Sequence, residues 1–306
     1  MKPTTGSTMD LLQENSVGIH PSPYRLPSSA HVGKVRLAVS DVELSIRFYR
    51  DIIGLAVLNR EATIAALGAH GDSRVLLELE QQPGVQPIAE RSRLGLYHTA
   101  FLLPTREDLS NFVQHLWKHN VPFAAGDHFV SEALYLVDPD GLDVEVYADR
   151  PRSQWQYVGR QLRMGTTAVR FDQLPKVAPD SWKGAPAATT VGHVHFYIGD
   201  LNAAREFYCT ALGLDVTVEF PTALFTSAGG YHHHVGLNIW AQGSPVASPN
   251  DARLLFWELA LPDTDEVTRV SETMRKAGYS ETLAANGAVA FTDPSGITMA
   301  LVIDPS

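Results

Sequence analysis

The sequence predicts an α+β fold built from four βαβββ modules, and three observations lead to this prediction. Two segments, 35–55 and 193–214, repeat one pattern of strand, capping Asp, helix and Gly. Two further segments join a strand that ends in Pro to a helix, and an Asp-Pro-x-Gly tetrad follows each of them. Alternating residues along the strands are typical of a sheet with one covered face.

The first repeated pattern carries matching signals for where a helix begins and ends. Asp41 and Asp200 stand where a carboxylate can accept hydrogen bonds from the first helical N–H groups. Each helix then ends in Phe-Tyr, and Gly54 and Gly213 permit the left-handed turn that closes a helix. The pattern predicts helices over 42–49 and 201–208.

The second pattern predicts helices over 107–119 and 265–277, each after a strand. Its tetrads, 138–141 and 293–296, are β-turns in which Pro sets φ and Gly takes the special position. A further strand follows each turn. The four modules therefore cover about 32–92, 94–149, 191–246 and 252–304.

Composition and charge exclude several classes of function. The chain has 306 residues, of which 44% are hydrophobic, and its net charge of −10 should repel nucleic acid and acidic membranes. No apolar stretch reaches the ~20 residues that cross a bilayer. The single cysteine, Cys209, excludes an internal disulfide and is expected to be a packed structural thiol. We therefore expect a cytoplasmic protein without nucleic-acid or membrane partners.

Two segments stand outside the modules. Residues 1–30 are rich in Ser, Thr, Pro and Gly and are predicted to form a flexible or surface-draped N-terminal arm. Residues 150–190 are predicted to be an irregular, Pro-rich connector between the second and third modules.

Four modules of this kind resemble the vicinal oxygen chelate superfamily, which includes glyoxalase I, bleomycin-resistance proteins and extradiol dioxygenases. The resemblance covers nearly the whole chain beyond the arm. It implies that the modules pair into two vicinal oxygen chelate barrels, with a first domain at 31–149 and a second at 191–306. Self-association into a homo-oligomer would also fit the superfamily. The repeat by itself predicts fold and not chemistry.

The resemblance implies metal ligands on the first strand of one module and on the first and last strands of its partner. Those places hold His98 and Glu145 in module 2 and His193 in module 3, whereas Lys34 in module 1 cannot ligate a cation. The module 4 places hold Phe256 and Ala300. Modules 2 and 3 are therefore expected to pair around Fe(II) or Mn(II), either within one chain or between swapped chains, and the long connector favours pairing within one chain. Modules 1 and 4 would form a metal-free half.

A long motif between Gly126 and Glu145 resembles the extradiol ring-cleavage dioxygenase signature. It reads Gly-x-His, a spacer, an aliphatic residue, Tyr, Asp-Pro-x-Gly and Glu. The resemblance implies that Tyr135 hydrogen-bonds the substrate oxygen that binds the metal. It also implies that His128 lies at the edge of the pocket.

Three consecutive histidines, 232–234, are predicted to open the fourth strand of module 3. Side chains alternate along a strand, so His232 and His234 would share one face and His233 the other. Extradiol dioxygenases carry a catalytic acid–base histidine on this strand; any of the three could hold that role here, and alternation with Leu237 favours His233. His232, His234, His195 and Tyr147 are candidate pocket residues, and the first two could instead orient the ligands.

The resemblance implies an extradiol dioxygenase, similar to catechol 2,3-dioxygenase, that inserts both atoms of O₂ into a small aromatic diol. Two alternatives stay open. One is a metal-dependent glyoxalase or thiol-transferase-type lyase, in which a histidine of the 232–234 tract would be a fourth ligand. The other is a non-catalytic protein that binds aromatic drugs. The sequence leaves open which catechol or hydroquinone would be the substrate.

Overall fold

The structure is a computed structural model that describes residues 17–21 and 23–304. Its strands are β1 (His31–Val39), β2 (Ala56–Arg60), β3 (Ile64–Gly68), β4 (Val75–Gln81), β5 (Gly95–Leu102), β6 (Ala124–Asp127), β7 (Ser131–Val137), β8 (Asp143–Asp149), β9 (Tyr157–Val158), β10 (Gln161–Leu162), β11 (Thr190–Tyr197), β12 (Asp215–Phe220), β13 (Ala223–Ser227), β14 (Val235–Asn238), β15 (Arg253–Leu261), β16 (Thr282–Leu283), β17 (Val289–Thr292) and β18 (Thr298–Ile303). Its α-helices are α1 (Val42–Arg47), α2 (Arg106–Lys118), α3 (Leu201–Arg205) and α4 (Thr264–Lys276).

Two curled eight-stranded sheets organise the fold, and each combines two modules from opposite halves of the chain. The 1–4 sheet has the order β16-β17-β18-β15-β1-β4-β3-β2. The 2–3 sheet has the order β12-β13-β14-β11-β5-β8-β7-β6. The predicted fold of paired modules is confirmed, and modules 2 and 3 pair within one chain as expected.

The register at the middle of the 2–3 sheet brings distant residues into one row. Strands β5 and β11 run antiparallel, with His98 opposite His195 and Ala100 opposite His193. Strand β8 lies parallel on the other side of β5, with Glu145 opposite Ala100. Because directly opposed residues share a face of the sheet, Glu145, Ala100 and His193 point to the same side.

The predicted helix caps are confirmed. Asp41 accepts a hydrogen bond from the amide of Leu44 at 2.9 Å, and Asp200 accepts one from the amide of Ala203 at 2.8 Å. The α-helical parts end earlier than predicted, because α1 and α3 continue into π-helical turns at Phe48–Ile52 and Glu206–Ala211. These turns contain the repeated Phe-Tyr pairs.

The tyrosine of each Phe-Tyr pair joins the two sheets. Tyr49 of module 1 donates to Oδ2 of Asp138 in module 2 at 3.0 Å, and Tyr208 donates to Asp293 at 3.1 Å. Oδ1 of Asp138 accepts from the amides of Asp140 and Leu142, which closes the predicted turn. Burial raises the pKa of Asp138 to about 7.

Ion pairs occupy the 1–4 sheet at the place that carries candidate ligands in the 2–3 sheet. Nζ of Lys34 lies 2.9 Å from Glu78 and 3.6 Å from Glu258, and Arg36 lies 3.3 Å from Glu78. All of these side chains are largely buried. A lysine at this position therefore neutralises carboxylates of its own sheet.

Part of the predicted N-terminal arm packs against module 3. Ile19 forms an isolated bridge with Val216, and Leu26 and Ala30 are buried in the main core. Nε of Arg25 lies 3.1 Å from Asp215. Residues 1–16 and 22 of the arm lie outside the described residues.

The thiol of Cys209 is buried among core side chains, as predicted for a structural cysteine. Burial raises the pKa of this thiol to about 12, so it stays protonated. Across residues 17–21 and 23–304, no helix combines the length and apolarity needed to span a membrane.

Candidate metal centre and cavity

A cavity of about 590 Å³ opens on the face of the 2–3 sheet that carries His98 and Glu145. Module 2 contributes Tyr97, His98, Tyr135 and Glu145, and module 3 contributes His195 and His233, among others. Its volume lies in the range of about 300–1,000 Å³ that is usual for small-molecule sites.

The three candidate ligands converge, and two of them, His98 and Glu145, line this cavity. Nε2 of His98 lies 3.0 Å from Oε2 of Glu145, and Nε2 of His193 lies 3.2 Å from the same oxygen. One ligand atom from each residue lies within 4.8 Å of the others. Exposed fractions of 1–3% remove all three side chains from bulk solvent.

The row of opposed residues explains this convergence. Ala100 stands between Glu145 and His193 in the sheet, and its methyl group leaves the space above it to the longer side chains. His98 precedes Ala100 by two residues on β5 and so points to the same face. In the 1–4 sheet the corresponding pair is Glu258 on β15 opposite Ala300 on β18. The carboxylate there lies on the strand that corresponds to β5, and the alanine lies on the strand that corresponds to β8.

The protonation states suit a cation. Burial lowers the pKa of His193 to about 4, so the imidazole is neutral at neutral pH. Burial opposes ionisation of Glu145, but the adjacent imidazole of His193 holds the pKa of Glu145 well below its usual range. Neutral imidazoles and an ionised carboxylate are the forms that bind divalent metals.

His98 provides the observation that tests the fit of a metal. Both of its ring nitrogens are buried without a hydrogen-bond partner, although Nε2 lies so near Glu145. A buried nitrogen without a partner is costly, and a cation between the three side chains would satisfy it. Two imidazoles and one carboxylate also form the ligand set of non-haem iron oxygenases.

Tyr135 and His128 form a hydrogen-bonded pair on the cavity wall. The phenolic oxygen of Tyr135 lies 2.6 Å from Nε2 of His128, whose Nδ1 lies 2.9 Å from the carbonyl oxygen of Gly165. Because a carbonyl only accepts, Nδ1 carries the proton, and in the neutral ring Nε2 accepts from Tyr135. Burial raises the pKa of Tyr135 well above its usual value, which keeps it a phenol.

The three consecutive histidines do not belong to a strand, because β14 begins only at Val235. Their orientations therefore follow individual contacts and not strand alternation. His233 lines the cavity, with its ring centroid 4.0 Å from that of His193. Of the three, this is the histidine for which we predicted the acid–base role.

A chain of hydrogen bonds orients the ring of His233. Nε2 of His232 lies 3.0 Å from a carboxylate oxygen of Asp149, and Nδ1 of His232 lies 2.7 Å from Nδ1 of His233. The carboxylate accepts from His232, so Nδ1 of a neutral His232 accepts from His233. Nε2 of His233 is then left without a proton, as a base requires.

His195, a candidate pocket residue, also lines the cavity. Nδ2 of Asn238 donates to Nε2 of His195 at 3.0 Å, and Oδ1 of Asn238 accepts from the amide of Trp240 at 2.9 Å. The imidazole lies flat on Gly236, where an added Cβ would approach its ring to 2.8 Å. Both contacts hold this ring in one orientation.

The other candidate pocket residues, His232, His234 and Tyr147, do not line the cavity. Tyr147 packs against His193 with a ring separation of 4.8 Å, and its hydroxyl lies 2.7 Å from that of Tyr231. Nδ1 of His234 accepts from the amide of Ala228 at 3.2 Å. Of the three, His232 contacts a ring that lines the cavity, that of His233, and Tyr147 packs on the candidate ligand His193.

Sequence reasoning missed several residues of the site. Phe225 and Trp240 form apolar wall, and the connector contributes Met164 and Thr166. Asp149 acts through His232, as described above. The single sequence holds no signal for these positions except that Trp240 follows the histidine tract closely.

Comparison with known proteins agrees with this architecture. The sequence model of the Glyoxalase/Bleomycin resistance protein/Dioxygenase superfamily matches residues 30–146 and 190–301. The chain belongs to this superfamily. One of its members, the catechol-2,3-dioxygenase of Bacillus subtilis (strain 168), is 44% identical over 260 residues, which cover 82% of this chain and 89% of the relative.

Solved structures of the superfamily share the fold at low sequence identity. A Bacillus subtilis structure, described provisionally as a dioxygenase, has a TM-score of 0.64 and 13% identity, with 92% of this chain and 87% of that chain covered. Glyoxalase I from Zea mays has a TM-score of 0.54 and 16% identity, with 90% and 92% covered. At such identities these two structures bear on the fold alone. The 44% identical relative supports an enzyme of the dioxygenase type, and the triad suggests a metal cofactor.

Proposed function

We propose that this superfamily member is an extradiol dioxygenase that opens the ring of a catechol-type diol with O₂. One observation carries the proposal: His98, Glu145 and His193 converge, and the first two line a cavity that Tyr135 and His233 also line. The 44% identical catechol-2,3-dioxygenase supports the same activity.

The triad would hold Fe(II), or Mn(II), and either ion fits two imidazoles and one carboxylate. When bound, the metal supplies neighbouring positions for the diol and O₂ and a path for electron density between them. The buried triad itself contributes one negative charge and two neutral nitrogens. These ligands reach the site from the strands β5, β8 and β11, which hold them rigidly.

His233 would handle the proton of a diol hydroxyl. Its Nε2 is the unprotonated nitrogen of the ring, because Nδ1 donates towards His232. A base in this position can accept a proton from the substrate and return it to a later oxygen anion. Asp149 accepts from Nε2 of His232 at the other end of this chain of hydrogen bonds. It thereby stabilises the tautomer of His233 in which Nδ1 carries the proton.

Tyr135 and His128 would position a second substrate oxygen. The Tyr135 oxygen can accept from a hydroxyl while its own O–H points to Nε2 of His128. The same pair can reverse when His128 gains a proton, since the carbonyl of Gly165 keeps Nδ1 of His128 as a donor. The pair can thus donate or accept at one point in the cavity.

The decisive experiment combines metal analysis with oxygen uptake. We expect protein purified without oxygen to contain iron or manganese, to consume O₂ with a catechol, and to form the yellow ring-opened product. His98→Ala should lose most of the metal and the activity, and His119→Ala, which changes an exposed residue directly after α2, should lose neither.

Full metal occupancy in His98→Ala would contradict the assigned ligand set. Metal-loaded protein that consumes no O₂ with any diol of a panel would contradict the reaction. Isomerisation of a hemithioacetal in the same assay would favour the lyase alternative. Metal-free protein that binds aromatic compounds would favour the alternative of a non-catalytic protein that binds aromatic drugs.

A further inference from the structure

We infer that the cavity selects diols with an uncharged, apolar ring substituent and disfavours diols that carry a carboxylate. This inference rests on the proposed function, because it names the substrate class of the same site. It follows from the composition of the cavity wall and from the charges near it.

The cavity has one polar and one apolar end. The polar end includes His98 and Glu145 of the triad together with His195, His233 and Tyr135. The apolar end comes from elements that sequence analysis left without a role. These are the β12–β13 hairpin with Phe220, Pro221 and Phe225, the ring of Trp240, and Met164 of the connector.

A hydrogen bond and ring contacts join the apolar elements to one another and to His233 at the polar end. Nε1 of Trp240 donates to Oγ1 of Thr222 in the hairpin at 3.1 Å. The rings of Phe220 and Phe225 lie 6.0 Å apart, and that of Phe225 lies 4.8 Å from the ring of His233. A diol bound at the triad therefore meets aromatic surface directly beyond the polar groups.

No lysine or arginine lines the cavity in the part of the chain that the structure describes. Three arginines near lining residues have partners of their own. Arg150 lies 2.8 Å from Asp127 and 3.0 Å from Glu132, and Arg163 lies over the ring of Phe129 and donates to Gln156. Arg91, whose charge acts on Tyr97, lies 3.3 Å from Glu90.

Charge balance leads to the same conclusion. A divalent cation on two neutral imidazoles and one carboxylate leaves one positive charge, which a singly ionised catechol already offsets. An added carboxylate would meet no ammonium or guanidinium group in the lining, and burying a charge without a partner is strongly unfavourable. An alkyl group there gains from burial, since one methylene in an apolar pocket changes specificity about 10–200-fold.

The test compares two substrates of similar shape, isobutylcatechol and dihydroxyphenylacetate, with the substituent at the same ring carbon. We expect kcat/KM of the iron-loaded enzyme to be at least about tenfold higher for isobutylcatechol. Met164→Lys should narrow or reverse this preference by placing a cation at the wall, and Met164→Leu should preserve it. Equal or higher kcat/KM for dihydroxyphenylacetate in the unchanged enzyme would overturn the inference.

Binding without oxygen separates this inference from the proposed function. Trp240 lines the cavity, so quenching of its fluorescence should report both compounds, and Trp240→Phe should lose that signal. Tighter binding of isobutylcatechol in a protein that opens no ring would support the inference while the proposed reaction failed. Tighter binding of dihydroxyphenylacetate would overturn the inference whatever the reaction.

Discussion

The phenolic oxygen of Tyr135 lies 2.6 Å from Nε2 of His128, across the wall of the cavity that contains the candidate metal ligands. The two residues come from β7 and from the segment before it. The carbonyl of Gly165, in the connector, sets the tautomer of the histidine. Two residues that the sequence analysis assigned to the pocket thus depend on a contact from the connector, a segment that carried no motif.

Tyr135→Phe removes the hydroxyl and keeps the ring. We expect kcat/KM to fall about 100-fold, because a positioned proton donor or acceptor contributes about 10²–10⁴-fold to such reactions. Steady-state oxygen uptake measures this effect, with metal content expected to be unchanged. Unchanged kcat/KM would show that the Tyr135–His128 pair has only a structural role.

Asp149→Asn replaces the carboxylate that accepts from His232 with a group that can also donate. The tautomers of His232 and His233 are then no longer determined, and Nε2 of His233 can carry the proton. We expect kcat to fall about 10–100-fold, the usual effect of removing an orienting partner. Asp172→Asn, in an exposed pair with Arg170, is the matched control and should keep full activity.

Because His234 is buried, we expect the folded protein to lose stability in acid. Burial lowers its pKa to about 3, against about 6.5 in the unfolded chain. Between about pH 6.5 and 3 the unfolded state therefore binds more protons than the folded state. The contribution of neutral His234 to the free energy of unfolding is complete above pH 6.5 and is lost as the pH falls towards 3. The free energy of unfolding, measured with urea at a series of pH values, should decline less steeply with falling pH in His234→Asn than in the unchanged protein.

Asn is the suitable replacement because its Oδ1 can take the place of Nδ1 in accepting from the amide of Ala228. The exposed control His119→Asn should decline as steeply as the unchanged protein. Equal slopes for all three proteins would mean that His234 is protonated in the folded state.

Gly236→Ala tests the support beneath His195. The new Cβ would come within 2.8 Å of the ring, and overpacking of this kind costs about 1–3 kcal/mol. We expect lower stability in thermal unfolding together with a lower kcat/KM. Gly199→Ala, whose Cβ would meet the side chain of Leu94 at 3.4 Å, should change neither. Crystallography of Gly236→Ala with His195 unmoved would contradict this account.

Much of the fold could be predicted from the sequence, because its signals are local. The caps Asp41 and Asp200, the Gly stops and the Asp-Pro-x-Gly turns act within a few residues, and all of them are found in the structure. The pairing of modules 2 and 3 is not local, and it was predicted from the ligand places that the superfamily resemblance implies. His98, Glu145 and His193 complete a ligand set only when those modules meet.

What the tertiary structure decided depends on contacts between distant segments. Ala100 opposes both Glu145 and His193, and only the sheet register shows that a methyl group stands there. His233 reaches the cavity because Asp149 and His232 hold its ring in a non-strand segment. The apolar wall comes from the connector and a hairpin, whose sequences lack periodicity. Side-chain direction in such segments follows their packing partners, and a single sequence does not identify these partners.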